Sequence, residues 1–236
     1  MRTPRAAIAL TYPRDMPLTP AHPAVVLPLQ RLGLPLSALV TGAVAPDAPV
    51  YLPVGVSYRT THSWEGLPAG IVIGLVVLGL WFAVLRDAVV DLTPSLRRRV
   101  PVRARLGLRA WLLAPVGVAV GAATHVLWDS ATHDWGFVVR ELAFLREEHG
   151  PLALYGWLQV LSTVVGIAVV AAYGVLKLRP LSTEPRPPQV SRPWLWVMPI
   201  PLAALVIGVV SRDPEAAAGT AMVALLGVAG GWRLAR

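Results

Sequence analysis

The chain is dominated by apolar stretches close to 20 residues long, each with arginine or proline at one boundary at least. A helix crossing the hydrocarbon core of a bilayer needs about 20 mostly apolar residues at about 1.5 Å of rise each. Five stretches match that demand: Gly66 to Leu85, Ala110 to Trp128, Pro151 to Leu176, Trp194 to Val210 and Pro214 to Leu234. Asp213 reads as the N-cap of the last, with Pro214 at the first helical position and Glu215 in the first turn. Composition agrees, because 55% of residues are hydrophobic and only 14% are charged, against about 25% charged in a soluble domain. The expected fold is all-α, a polytopic helical membrane protein.

Arginine sets the orientation. The net charge is +8, and only Lys177 among the 21 basic residues is lysine. Arg86, Arg97, Arg98, Arg99, Arg103, Arg105 and Arg109 fall between the first two spans. The next loop, 129–150, is acidic with Asp129, Asp134, Glu141, Glu147 and Glu148, and the loop after the third span is basic and proline-rich. The positive-inside rule then places 86–109, 177–193 and the C-terminus in the cytoplasm and 129–150 outside. No base-reading motif accompanies the charge, so membrane lipids and not nucleic acid are the expected partners. With no cysteine, disulfides, thiolate zinc sites and cysteine nucleophiles are excluded.

Residues 23–45 are apolar but interrupted by Pro28, Gln30, Arg31, Gly33 and Pro35. One straight helix would cross the bilayer. Two short helices hinged at Gly33-Leu34-Pro35 would return to the starting face, as a re-entrant pair packed against protein. The second arrangement is expected here. Residues 1–15 lack the apolar core of a signal peptide and read as a disordered extension. Met16 opens a single helical membrane domain over 16–236 and is a candidate translation start.

Few polar groups remain to be explained. His22 lies in LTPAHP, Asp47 in APDAP, His62 in TTHS, and His125, Asp129 and His133 in HVLWDSATH. Steps of four residues rotate by about 40° on an α-helix, so the last three form one stripe if the helix persists. Imidazole and carboxylate are ligands for zinc or another divalent metal, and ionisable groups in a membrane usually mark a site or pair internally. Each also has a plain reading: His22 as a helix start, Asp47 as a turn former, His62 as a cap, His125 as a residue hydrogen-bonded inside the bundle, and Asp129 and His133 as solvated helix-end residues. His149 reads as a loop residue, and Trp64, Trp128 and Trp135 as interface anchors. The arginine-based topology gathers the six at one face, with His22 joining only if 23–45 folds back.

From Met16, MPLTPAHPAVVLPLQRLGLPLSALVTGAVAPDAPVYL resembles the start of a bacterial membrane family known as domain-of-unknown-function family 4184. His62-Ser63 and HVLWDSATHDWG at 125–136 fit the same family. The resemblance covers nearly the whole chain from Met16 and implies a multi-pass protein of the bacterial plasma (inner) membrane, without conferring an activity. A second resemblance lies in residue order: His, Asp, His about 15 residues later, then HxxxD and a further His. This order is similar to that of zinc-dependent phospholipases C, related nucleases and membrane-bound metal-dependent hydrolases. It implies His22, Asp47, His62, His125, Asp129 and His133 as ligands of Zn2+ or another divalent ion, with Asp47 or Asp129 bridging two metals or serving as general base. The phospholipase pattern ends in HxxxE, whereas Ala153 follows His149, and its N-terminal tryptophan has no counterpart. A reduced site, down to one metal, is what these residues allow.

The leading functional expectation is a metal-dependent hydrolase acting at the outer face on a phosphate ester. A transporter or ion-binding membrane protein, or a non-enzymatic membrane scaffold, are the alternatives. No Ser-His-Asp arrangement, phosphate loop or dinucleotide fingerprint is present.

Overall fold

The computed structural model describes residues 19–236. The expected extension at 1–15 and the candidate start at Met16 lie outside the described residues. Proline and glycine shape the first third. After one turn over Thr19–Ala21, Pro23 opens helix α1 (Pro23–Val26) and Pro28 opens a 3-10 turn (Pro28–Leu32). That turn stops at Gly33, whose φ of 79° is the left-handed conformation that glycine tolerates best. Pro35 is extended and leads into α2 (Leu36–Val44). The two arms double back on each other, so the expected re-entrant pair hinged at Gly33-Leu34-Pro35 is present. Gln30 satisfies polar groups near the tip: its Nε2 donates to the Leu27 carbonyl at 2.8 Å, and its Oε1 accepts from the Tyr173 hydroxyl at 2.9 Å.

Two short helices follow, α3 (Ala48–Tyr51) and α4 (Tyr58–Thr61), the second capped by Ser57, which accepts from the Thr60 N–H at 3.2 Å. Among the described residues, five helices are then long and apolar enough to cross a membrane: Leu67–Leu92, Leu108–Glu141, Leu154–Leu178, Pro193–Ser211 and Pro214–Ala235. The first contains α5 (Leu67–Leu80), a π-turn (Trp81–Leu85) and α6 (Arg86–Leu92). It runs a full seven residues beyond the expected end at Leu85, because charge marks where the apolar run stops and not where the backbone unwinds. After α7 (Pro94–Arg97) come α8 (Leu108–Thr132) and α9 (Phe137–Glu141). A two-residue hairpin of β1 (Glu148–His149) and β2 (Leu152–Ala153) turns through Gly150, with φ 77°, into α10 (Leu154–Leu178). The last two spans are α11 (Pro193–Val197) continued by α12 (Pro199–Ser211), and α13 (Pro214–Ala235). Asp213 caps α13 as expected, its Oδ1 accepting from Glu215 N at 2.8 Å and Ala216 N at 3.2 Å.

α8 is the most enclosed span, and the re-entrant helix α2 is its closest neighbour. Glycine makes the approach possible. A Cβ on Gly121 would fall 2.2 Å from the Leu39 carbonyl oxygen and 2.7 Å from Ala43 N, and one on Gly42 would fall 2.2 Å from the Val118 carbonyl oxygen. Backbones packed this closely gain dispersion where lipid offers no hydrophobic drive between helices. Buried Ala38, Leu78, Ala114 and Val118 fill the middle of the bundle.

At the end of the bundle opposite the α2–α3 junction, the two basic segments are stitched together. Buried Asp91 accepts from Trp232 Nε1 at 2.8 Å and from Gln189 N at 3.0 Å, tying α6, α13 and the proline-rich loop. Arg97 Nε donates to the Arg186 carbonyl at 2.9 Å, and Arg186 Nη1 returns to Val100 at 3.0 Å. Asp87 pairs with Arg86 at 3.3 Å and Arg105 at 3.2 Å. The arginines that mark topology are therefore also structural ties.

The α2–α8 contact makes a direct prediction. Gly121→Ala should cost about 1–3 kcal/mol through overpacking and lower the thermal midpoint in detergent. Gly79→Ala, where a Cβ meets nothing within 4 Å, should instead leave it unchanged or raise it slightly.

Candidate metal centre

The site is assembled by local devices that each bring one side chain to the same point. Asp47 ends a short turn (Ala45–Asp47) directly after α2, between Pro46 and Ala48-Pro49. The Thr61 hydroxyl donates to the Pro46 carbonyl at 2.7 Å, docking α4 on that turn and placing His62 beside Asp47. His125 and Asp129 lie one turn apart on the buried face of α8. His22 arrives at the head of α1, held there by the return of the hairpin.

Four ligand atoms, one each from Asp47, His62, His125 and Asp129, lie within 4.8 Å of one another, and all four residues are buried. His62 Nε2 is 3.2 Å from Asp47 Oδ1 and 3.3 Å from Asp129 Oδ2. His125 Nε2 is 3.5 Å from Asp47 Oδ1 and 3.2 Å from Asp129 Oδ2, and the two Nε2 atoms are 3.1 Å apart. Ligands about 2.0–2.2 Å from a zinc ion at tetrahedral angles stand about 3.3–3.6 Å from one another. Five of the six edges thus have roughly the length that a single small cation requires.

The other ring nitrogens fix the sense of these contacts. His125 Nδ1 donates to the Ala43 carbonyl at 2.7 Å and His62 Nδ1 to the Tyr58 carbonyl at 2.9 Å. With Nδ1–H committed, both Nε2 lone pairs point at each other and at two carboxylates. Two N–H groups cannot both fill the 3.1 Å gap between the nitrogens, so each Nε2–H of a protonated pair must be given to Asp47 or Asp129, whereas one metal ion would take both lone pairs at once. Orientation of a ligand imidazole by a backbone carbonyl is the usual support around such centres. An oxygen- and imidazole-rich set of this kind suits zinc, manganese or iron.

A surrounding layer holds the carboxylates. The Thr19 hydroxyl donates to Asp47 Oδ2 and lies 2.9 Å from the Tyr51 hydroxyl. His22 Nε2 is 3.3 Å from Asp129 Oδ1, and its ring stacks on His125 with centroids 3.7 Å apart. His133 stands further out. α8 ends at Thr132 and His133 adopts extended backbone, so the helical stripe stops at Asp129, and His133 Nδ1 lies 3.9 Å from Asp129 Oδ1. Its Nε2 accepts from the Gln159 amide at 3.1 Å. Trp135 covers the group, with its ring centroid 5.6 Å from that of His62 and 5.0 Å from that of His133. It is thus a wall of the site, whereas Trp64 and Trp128 are exposed. His149 is exposed and apart from the cluster.

Electrostatics follow burial and proximity. Burial, reinforced by the neighbouring His125, pushes His22 down to about 4, so it is neutral at neutral pH. Burial alone would push Asp47 up, but the imidazoles of His125, His62 and His22 hold it well below the usual carboxylate range. Burial opposes a charge on His62, yet its hydrogen bonds to Asp129 and Asp47 outweigh that and raise it.

Residues 16–231 match the family described as Domain of unknown function (DUF4184). The chain belongs to that family. No curated protein and no solved structure matches the chain. All six candidate positions of this DUF4184 chain lie inside the matched stretch.

Several contributors escaped the sequence reading. The carbonyls of Ala43 and Tyr58 have no sequence signature, since any residue carries one. Thr19 stands three residues before His22, and Gln159 is a polar residue in an apolar span, a signal that could have marked it.

Protons and a metal compete for the same nitrogens. Because His62 is raised, it holds its proton through and below about pH 6.5, and metal affinity must fall as pH falls. Zinc added to the metal-free DUF4184 protein at about pH 7 in weak buffer should release about one to two protons per ion. Affinity at about pH 5.5 should be at least about ten-fold weaker than at about pH 7.5. A flat profile over that range means these imidazoles are not the ligands.

Proposed function

We propose that this protein is a hydrolase of phosphate esters, dependent on one divalent ion of the zinc type, with its site at the outer face of the bacterial plasma membrane. The observation that carries the reading is the convergence of Asp47, His62, His125 and Asp129 with both Nδ1–H groups already spent on carbonyls. A divalent ion bound there supplies Lewis acidity and lowers the pKa of water at neutral pH. Asp47, His62, His125 and Asp129 would hold the ion, and because a catalytic zinc keeps one position open to water, one of the two carboxylates would have to give up its place and serve as base.

The chain's own groups carry the proton. One of the two carboxylates, Asp47 or Asp129, accepts a proton from the attacking water as its oxygen bonds to phosphorus. The P–O bond to the alcohol breaks, and the departing oxygen takes that proton. Thr19 holds Asp47 from behind, and His22 and His133 flank Asp129. A cavity of about 730 Å³, lined among others by Tyr58, Arg59, His62, Trp135 and Arg140, gives water and the polar product a way to and from His62.

Transport is less well supported. A pathway needs ionisable groups through the depth of the bundle. Here the buried charged residues fall into two end groups, separated by the apolar packing of Ala38, Leu78, Ala114 and Val118. A scaffold using the basic loops is also less favoured, because Arg86, Arg97, Arg105 and Arg186 are engaged within the chain.

Protein purified gently from membranes should contain about one equivalent of zinc, manganese or iron per chain, as one such four-ligand site holds. It should hydrolyse bis(p-nitrophenyl) phosphate in a chelator-sensitive manner. His125→Ala and Asp129→Asn should each lose metal and about 100-fold or more of the rate, and His149→Ala should lose neither. Metal below about a tenth of an equivalent overturns the proposal.

The orientation is testable because the chain has no native cysteine. In spheroplasts, Glu147→Cys should react with a membrane-impermeant maleimide. Ser95→Cys and Ser182→Cys should react only after permeabilisation, and the reverse pattern would invert the topology.

A further inference from the structure

The centre has a second approach on the Asp129 side, distinct from the wide cavity beside His62. A groove of about 230 Å³ lies between α1, α8 and α10, and its lining includes both Asp129 and His22. Its walls are close-set because Gly166 of α10 packs on Ala21, where a Cβ would come within 2.8 Å.

The polarity of the lining is graded along the membrane normal. α8 runs toward the end that holds the metal centre, whereas α1 and α10 run away from it. At the level of the centre the groove is bordered by Asp129, Thr132, His133 and Ser162, with Trp128 donating its Nε1–H to Ser162 beside them. Deeper it is bordered by Val25, Val165 and Val169. Ser162 and Val169 are seven residues apart on α10, which is about 10 Å of helix. Val25, Val165 and Val169 are 41%, 50% and 42% exposed, on faces that meet lipid in a bilayer. The groove is therefore open sideways to the hydrocarbon, polar at the top and apolar below, and it ends on a candidate ligand.

A water-soluble ester needs no such flank, since the wide cavity already serves it. A lipid does, because its phosphate and its chain occupy these two levels of the same leaflet. The groove is also smaller than the roughly 300 Å³ at which pockets for whole ligands begin, so it suits part of a molecule. Resting on the hydrolase reading above, we propose that the substrate is a phospholipid of the outer leaflet. One acyl chain enters laterally along Val25, Val165 and Val169, the phosphate faces Asp129, and the head group projects into the wide cavity.

Binding of phosphonates separates this proposal from the reading on which it rests. The probes are methylphosphonate and dodecylphosphonate, titrated into cobalt(II)-loaded full-length protein in one detergent and followed by visible absorption. Wild type should bind the long probe about ten-fold or more tightly than the short one, since a few buried methylenes suffice for that factor. Val165→Trp and Val169→Trp, each filling the groove from its lipid-facing rim, should abolish the preference while keeping the cobalt spectrum and the methylphosphonate affinity. Detergent partitioning is common to all three proteins and cancels in the comparison. Equal affinity for both probes in wild type, or a preference that survives both variants, overturns the lipid proposal and leaves the metal reading standing. Failure to take up cobalt or to respond to methylphosphonate overturns both.

Discussion

Two imidazoles face two carboxylates in the interior of a chain with little charge to spare, and much of the surrounding structure exists to keep them there. Removing such groups from water costs several kcal/mol each unless they are paired or hold a metal. The cost is met by geometry. His125 can present Nε2 to the centre because Ala43 takes its Nδ1–H, and Ala43 lies within reach because Gly42, Gly117 and Gly121 let α2 press against α8. His62 depends in the same way on the Tyr58 carbonyl and on Thr61, which ties α4 to Pro46.

The re-entrant hairpin follows from this demand. A straight helix over 23–45 would leave His22 and Asp47 at opposite faces. Folding at Gly33 brings both to the same centre, at the expense of irregular backbone within the bundle. That backbone is tolerated because protein covers it: α8 on one side, α10 on the other, with Tyr173 and Gln30 hydrogen-bonded near the tip. The feature that looks weakest as a transmembrane segment is the one that completes the site.

The spans, the cap at Asp213 and the hinge at Gly33 were legible because each is a local pattern with a direct physical cause: apolar length, a side-chain acceptor, or a tolerated φ. The convergence of His22, Asp47, His62, His125 and Asp129 was legible from topology, since charge asymmetry assigns faces even where contacts are unknown. Other features were not. Whether α8 continues through His133 depends on where one helix turn unwinds, and sequence period carries no information about its own end. Trp135 resembles an interface anchor in composition, and only the fold back of the segment after α8 turns it over His62 and His133. The carbonyls that orient the imidazoles are backbone groups, invisible to any reading of side chains.

Charge arithmetic bears on what the centre can hold. Two ionised carboxylates and two neutral imidazoles carry a charge of about −2, and a buried group is least costly near neutrality. One divalent ion restores neutrality with a single particle at the common focus. Two protons do so as well, held in the Nε2–carboxylate contacts of 3.2 to 3.5 Å and not between the nitrogens, which stand 3.1 Å apart. A monovalent ion leaves one charge uncompensated. The centre could therefore hold either protons or a divalent metal, and the wide cavity at His62 gives both a route. The groove at Asp129 opens a second flank between α1, α8 and α10, so the centre is approached from two sides, at His62 and at Asp129.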